Sequence, residues 1–122
     1  VLMRMSHDFG HTWSNARFLM PEHQLRHMVV ATIFATSDGV WVMPCDNTTY
    51  GSGGTSVHLS YDNGITWEDT GSDVLGIHGA ILQRDDGSLY AVGRGDDING
   101  SLARSISYDL GHSWECGPSG LP

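Results

Sequence analysis

Three stretches of the chain decide its fold: Ser6-His-Asp-Phe-Gly-His-Thr-Trp13, Ser60-Tyr-Asp-Asn-Gly-Ile-Thr-Trp67 and Ser107-Tyr-Asp-Leu-Gly-His-Ser-Trp114. They share the pattern Ser-x-Asp-x-Gly-x-(Thr/Ser)-Trp, which recurs at intervals of roughly 50 residues, a period typical of repeat architectures. Each unit of such an architecture packs against its neighbours because it cannot bury its apolar faces alone. The repetition therefore predicts a series of similar small sheets.

The motif itself is typical of a tight turn between two strands. Glycine adopts positive φ without strain, and an Asp side chain accepts hydrogen bonds from backbone N–H groups close by in the chain. Ser and Thr hydroxyls also bond to local backbone, and the Trp ring buries a large apolar area as the next strand begins. We therefore interpret the motif as structural and expect its own turn to occupy each carboxylate. The residues given this structural role are Ser6, Asp8, Gly10, Trp13, Ser60, Asp62, Gly64, Trp67, Ser107, Asp109, Gly111 and Trp114.

Between the motifs the sequence predicts short antiparallel strands, and no segment keeps a helical period. Four strands per unit, joined by turn residues, predict an all-β fold built from β-propeller blades. We expect residues 1–122 to be part of one propeller domain, with 1–20 the end of a blade, 27–72 a second blade and 75–118 a third. Because a closed ring typically needs about four to eight blades, these roughly two and a half blades predict a fragment of a larger ring.

Several finer expectations follow from local composition. Residues 28–35 are apolar and rich in β-branched side chains, which predicts one continuous buried strand. The Gly-rich residues 93–100 predict a polar loop. Cys45 and Cys116 occupy different stages of the repeat, which predicts two free, buried thiols rather than a disulfide. Asn47-Thr-Thr49 and Asn99-Gly-Ser101 match the glycosylation acceptor pattern, which favours a secreted protein.

The charge balance limits the possible partners. Fourteen Asp and Glu residues oppose six Arg residues, and the net charge is −8. Nucleic acids and anionic membrane surfaces attract basic proteins, so neither is expected as a partner. A site for an anion must instead be a local group of arginines. No apolar run is long enough to span a bilayer, and the histidines lack metal-ligand spacing, so the sequence predicts neither a metal nor a cofactor.

The three motifs resemble the Asp boxes, or BNR repeats, of the sialidase (neuraminidase) superfamily. The resemblance extends to Gly76-Ile-His-Gly-Ala-Ile-Leu-Gln-Arg-Asp-Asp-Gly-Ser-Leu-Tyr-Ala-Val-Gly-Arg94, which looks like the family's hairpin that ends in an arginine. It implies a six-bladed propeller and an exo-α-sialidase type of hydrolysis, in which terminal sialic acid is released with retention. Family enzymes use a Tyr nucleophile with a Glu partner, an Asp acid/base and three arginines, an exception to the usual pair of carboxylates.

The resemblance implies site roles at residues 94 and 78, and the spacing of the repeats adds two further candidates. Arg94 stands where the family has an arginine that grips the substrate carboxylate, for which a planar guanidinium is suited. The catalytic Glu is expected near residue 78, but this chain has His78, and an imidazole is a common general base. Counting from turn glycines Gly39 and Gly87 places Asp46 at the position of Arg94 in the preceding blade, so His78 and Asp46 are the catalytic candidates. Arg26 is a second candidate for the anion site, and the expected partner is a glycan with an anionic sugar.

Other interpretations of the same residues stay open at this point. Arg94 is also suited to an ordinary ion pair with Asp96 or Asp97. The whole protein is alternatively a non-catalytic Asp-box propeller that binds carbohydrate or protein, because the motif stabilises hairpins whatever the ring does. The change from Glu to His78 also leaves room for a hydrolase of another sugar or a lyase. The nucleophilic Tyr and most of the arginine triad are expected in other blades.

Overall fold

The computed structural model describes residues 1–20, 25–47 and 53–122, and all regular elements in these ranges are strands. Residues 21–24 and 48–52 lie outside the described ranges. The strands are β1 (Leu2–Met3), β2 (Arg17–Phe18), β3 (Met28–Val29), β4 (Phe34–Ala35), β5 (Trp41–Asp46), β6 (Thr55–Ser60), β7 (Glu68–Val74), β8 (Ile77–Gln83), β9 (Leu89–Ile98), β10 (Ser101–Ser107) and β11 (Glu115–Pro118).

The strands form three antiparallel sheets. The first contains β1 and β2, the second has the order β3-β5-β6-β7 with β4 also on β5, and the third has the order β8-β9-β10-β11. In the third sheet each strand pairs with its neighbour in the chain, which is the up-and-down arrangement of a propeller blade. The second sheet has the same arrangement if β3 and β4, which both pair with β5, are counted as one interrupted strand. The predicted all-β antiparallel fold is confirmed, and it is consistent with a fragment of a propeller.

The apolar core lies between the second and third sheets. Val42, Val57, Leu59 and Val74 of the second sheet are fully buried, and Ala91 of β9 joins the same cluster. Leu110 and Trp114, which belong to the third motif, pack against this cluster from the side of the third sheet. The third motif therefore ends a hairpin of its own sheet and also closes the contact between two sheets.

The three motif turns have one hydrogen-bonding scheme. In the second copy the Ser60 hydroxyl donates to Asp62 at 2.8 Å and accepts the N–H of Gly64 at 2.8 Å. Asp62 in turn accepts the backbone N–H and the hydroxyl of Thr66, at 2.8 and 2.6 Å. The first and third copies repeat these contacts to within 0.1 Å. Each turn places a residue other than glycine at φ between 56° and 58°, followed by glycine at φ between 78° and 88°.

These contacts also fix the ionisation of the motif carboxylates. Hydrogen bonds from the side chain and backbone of Thr12 lower the pKa of Asp8 to about 2, and Thr66 lowers that of Asp62 equally. Hydrogen bonds from Ser113 lower the pKa of Asp109 to about 2. A carboxylate held ionised by its own turn is a poor proton donor near neutral pH, which agrees with a structural interpretation of the motif.

Removing a motif hydroxyl should destabilise the protein in proportion to its burial. Ser60 and Ser107 are almost fully buried and accept the N–H of the buried residues Gly64 and Gly111. Ser60→Ala and Ser107→Ala should each lower the free energy of unfolding by about 1–3 kcal/mol, because a buried N–H loses its acceptor. Ser6→Ala is the matched control, since its partner Gly10 is exposed and water replaces the hydroxyl. Equal losses in all three variants, measured by urea unfolding, would contradict this explanation.

The predicted continuous strand over residues 28–35 is wrong, because the structure divides it into β3 and β4. Met28 and Val29 pair with Asp46 and Cys45, whereas Phe34 pairs with Val42. Residues 30–33 therefore lie opposite only residues 43 and 44 of β5, which leaves two extra residues between β3 and β4. The interruption lies opposite Pro44, whose carbonyl accepts the N–H of Val30 at 3.3 Å on this side of β5. Because Pro44 has no backbone N–H, it cannot donate a hydrogen bond to the segment opposite, and the ladder of hydrogen bonds is interrupted here.

Two smaller predictions are also wrong. Residues 93–100 are not a loop, because β9 continues to Ile98 and pairs there with Ser101. The hairpin closes at Asn99-Gly100, both at positive φ (54° and 74°), which matches a type I′ turn. Both cysteines are free as predicted, but only Cys45 is buried, and burial raises the pKa of its thiol to about 12. Cys116 is exposed on β11.

Candidate functional site

Asp46 and His78, the two catalytic candidates, form a direct pair between the second and third sheets. The Asp46 side chain is 3% exposed, and its Oδ2 lies 3.0 Å from His78 Nε2. Its Oδ1 accepts the backbone N–H of His78 at 2.7 Å. The His78 side chain is 51% exposed. A buried carboxylate therefore holds both the backbone and the ring of one exposed histidine.

The segment that carries His78 is irregular and is bound to the second sheet at further points. The pairing of β8 with β9 shifts between Ile77 and Ala80, and His78 has φ 54°. Thr55, the cross-strand partner of Asp46, donates its hydroxyl to Gly76 O at 3.0 Å and accepts Gly79 N–H at 2.7 Å. Left-handed backbone at a histidine is uncommon and costs free energy. The contacts of Asp46 and Thr55 offset that cost and fix the bulge.

Arg94 lies beside this bulge on β9. Its cross-strand partner is Ile77, the residue before His78. The approach is close, because a Cβ at Gly76 would lie 2.9 Å from the backbone N and O of Arg94. The register also shows that Arg94 and Asp46 occupy equivalent positions in their two sheets. Arg94 follows Leu89, the partner of Ser107, by five residues. Asp46 follows Trp41, the partner of Ser60, by the same number.

The Arg94 side chain has no ion pair or hydrogen bond to another side chain in the part of the chain that the structure describes. The alternative ion pair with Asp96 or Asp97 is therefore not formed, although both carboxylates are exposed further along the same strand. An exposed guanidinium with free donors retains its full capacity to bind a carboxylate from solution. Arg94 is thus available to an anionic ligand beside the Asp46–His78 pair.

A comparison with known protein families identifies the domain that carries these residues. The model of the BNR repeat-like domain family matches residues 1–119. The chain belongs to that family. No curated protein matches the chain in sequence at a significant level. The match covers the three motif turns and the candidate site alike, and it gives no role to any single residue.

Arg26, the second candidate for the anion site, is engaged elsewhere in the BNR repeat-like domain. Its Nε and Nη2 contact the two carboxylate oxygens of Asp69 at 2.6 and 3.0 Å, and its Nη1 contacts Asp73 at 2.8 Å. Nη2 also donates to Ser72 O at 3.2 Å. These contacts, led by the hydrogen bond from Asp69, raise the pKa of Arg26 against the opposing effect of burial. Its role in substrate binding stays a prediction.

The backbone of Arg26 is bound as firmly as its side chain. Its carbonyl oxygen lies 2.9 Å from both the Ser56 hydroxyl and His58 Nε2. His58 is buried, and desolvation lowers the pKa of its imidazole. Burial opposes the ionisation of Asp69, but hydrogen bonds from Arg26 and Gly71 outweigh it and lower the pKa of that carboxyl. This cluster therefore holds Arg26 to β6 and β7 of the second sheet.

Sequence reasoning missed two residues that build the site. Thr55 binds the backbone on both sides of His78, and Gly93 allows the chain before His78 to approach β9. A buried Thr and a strand Gly are too common for either to stand out without the register. No group of three or more metal-binding side chains occurs among the described residues. In the same ranges no helix has the length and apolar character needed to cross a membrane.

Proposed function

We propose that this chain is part of a sialidase-like glycoside hydrolase that removes terminal sialic acid, or a related anionic sugar, by an exo-α-sialidase type of cleavage. The proposal includes the finer assignment to the sialidase superfamily, with His78 at the position where that superfamily has its catalytic Glu. Membership of the BNR repeat-like domain family supports it at the level of the fold.

The single observation that carries the proposal is the exposed, unpaired Arg94, whose backbone pairs with Ile77, the neighbour of His78 in the Asp46–His78 pair. The net charge of the chain is −8, and among the described residues the guanidinium groups of the other five arginines are all engaged. Arg26 and Arg84 contact carboxylates, whereas Arg4, Arg17 and Arg104 donate to backbone carbonyl oxygens. An unpaired arginine in such a chain favours a ligand that brings its own negative charge. The carboxylate of a sialic acid has the charge and the planar shape that a guanidinium binds with two parallel hydrogen bonds.

The second candidate function is a non-catalytic Asp-box propeller that binds an anionic glycan or protein. It is favoured by the contacts of the motif carboxylates, because Asp8, Asp62 and Asp109 each accept hydrogen bonds from residues of their own turns. The three motif turns therefore form without any of the catalytic candidates. On this alternative Arg94 binds the anion and no bond is broken.

The two candidates differ in turnover, which a substrate panel measures. The full-length protein should release the fluorophore from an α-sialoside and not from matched uncharged hexosides. The methyl ester of the same sialoside should react far more slowly, because esterification removes the charge that Arg94 binds. Binding of the sialoside without any turnover would favour the non-catalytic propeller. Equal turnover of the acid and its ester would contradict an anion site.

A further inference from the structure

The Asp46 carboxylate contacts His78 twice, and the two contacts together determine the state of the imidazole. Oδ1 is occupied by the backbone N–H of His78 at 2.7 Å, and Oδ2 lies 3.0 Å from Nε2. An ionised carboxylate only accepts hydrogen bonds. A neutral His78 must therefore carry its proton on Nε2 in order to make the second contact.

The other ring nitrogen is then left as an acceptor. In the neutral imidazole with a proton on Nε2, Nδ1 has a free lone pair. No partner for Nδ1 occurs among residues 1–20, 25–47 and 53–122, and the side chain is half exposed. The ring cannot turn to exchange its nitrogens without breaking the contact with Asp46. In the neutral imidazole the pair thus leaves Nδ1 as an acceptor, on the residue that follows the cross-strand partner of Arg94.

We propose that Asp46 is a positioning residue that fixes His78 in the Nε2–H tautomer, so that Nδ1 accepts a proton from a hydroxyl group at the Arg94 site. The proposal deepens the proposed function and rests on it for the location of the ligand. In the step itself the O–H bond breaks, the electron pair stays on the oxygen and the proton forms an N–H bond at Nδ1. The resulting imidazolium is balanced by the Asp46 carboxylate at Nε2, as in other Asp–His pairs.

Asp46→Asn is the sharpest test, because it changes the tautomer and keeps the backbone contact. The Asn Oδ1 can still accept the N–H of His78, but its Nδ2 is a donor and requires Nε2 to become the acceptor. Long-range 1H–15N spectra of the ¹⁵N-histidine-labelled full-length protein at alkaline pH should show protonated Nε2 in the wild type. The spectra should show protonated Nδ1 in Asp46→Asn. His78→Gln assigns the signal, and His58, whose Nε2 contacts a carbonyl, should not change.

Kinetics provide the second readout. Asp46→Asn should lower kcat for a sialoside with little change in KM, by up to about 10⁴-fold if the wrong tautomer acts as it does in serine proteases. An unchanged tautomer, or unchanged kcat in a variant whose tautomer has inverted, would overturn the inference. If the wild type turns over no sialoside, the proposed function fails, and the spectra still decide whether Asp46 sets the tautomer.

Discussion

Replacing Arg94 with alanine should lower kcat/KM for a sialoside by roughly 100-fold or more, because two hydrogen bonds to a charged group, each worth about 1.5–3 kcal/mol, are lost. The free energy of unfolding should change by less than about 0.5 kcal/mol, since surface side chains without partners contribute little. Arg94 is such a side chain within the described residues. Initial rates and urea unfolding of the full-length protein measure the two quantities.

Two further arginine variants control this experiment. Arg94→Lys keeps the charge but loses the planar pair of donors, so its kcat/KM should lie between those of the wild type and Arg94→Ala. Arg104→Ala removes an arginine whose Nε donates to Pro118 O at 3.0 Å on the outer strands, and it should leave kcat/KM unchanged. Sialoside turnover that survives Arg94→Ala at full rate would leave the activity in place and remove Arg94 from the site.

The part of the fold that was predictable from sequence is the part whose interactions are local. Each motif turn closes through contacts between residues two to four positions apart, such as those of Asp62 with Ser60 and Thr66. Such contacts depend on residue types at fixed spacing and not on the rest of the chain. The type I′ hairpin at Asn99-Gly100 was equally readable, since Asn-Gly is the strongest short-range hairpin signal. The Gly-rich composition around it was instead interpreted as a loop.

Counting along the sequence was enough to show that Asp46 and Arg94 occupy equivalent positions in their sheets. The number of residues between the strand position that faces the motif serine and the site residue is the same in β5 and β9. Trp41 and Leu89 start the count opposite Ser60 and Ser107, and no residue is inserted before the site in either strand. The contact between Asp46 and His78 was not accessible in this way. It depends on the bulge after Ile77 and on the packing of one sheet against the next.

The partners of Arg26 were beyond sequence reasoning for a related reason. Asp69 and Asp73 lie 43 and 47 residues further along the chain. Both belong to β7, whose pairing with β6 shifts between Ser56 and His58. A single shift in register changes which side chains of an outer strand face a neighbouring segment. The sequence alone therefore could not show which of the acidic residues pair with Arg26.

Gly93→Ala should strongly destabilise the protein although it adds only one methyl group near the site. A Cβ at this position would lie 2.5 Å from Leu75 O and 2.7 Å from Gly76 O, both of them backbone atoms. Retreat of that segment is opposed because Thr55 holds Gly76 O at 3.0 Å. The free energy of unfolding should fall by about 3 kcal/mol, at the upper end of the usual range for overpacking. Urea unfolding of the variant measures this loss.

Gly117→Ala is the matched control, because it adds the same methyl group to a strand glycine with room for it. The nearest atom would be 3.6 Å from the new Cβ, at the flexible end of Arg104. This variant should be as stable as the wild type or gain a few tenths of a kcal/mol, because alanine restricts the unfolded chain. Gly93→Ala should also lower sialoside turnover, since moving the segment before His78 changes its position relative to Arg94. A Gly93→Ala protein as stable as Gly117→Ala would show that this close approach does not constrain the site.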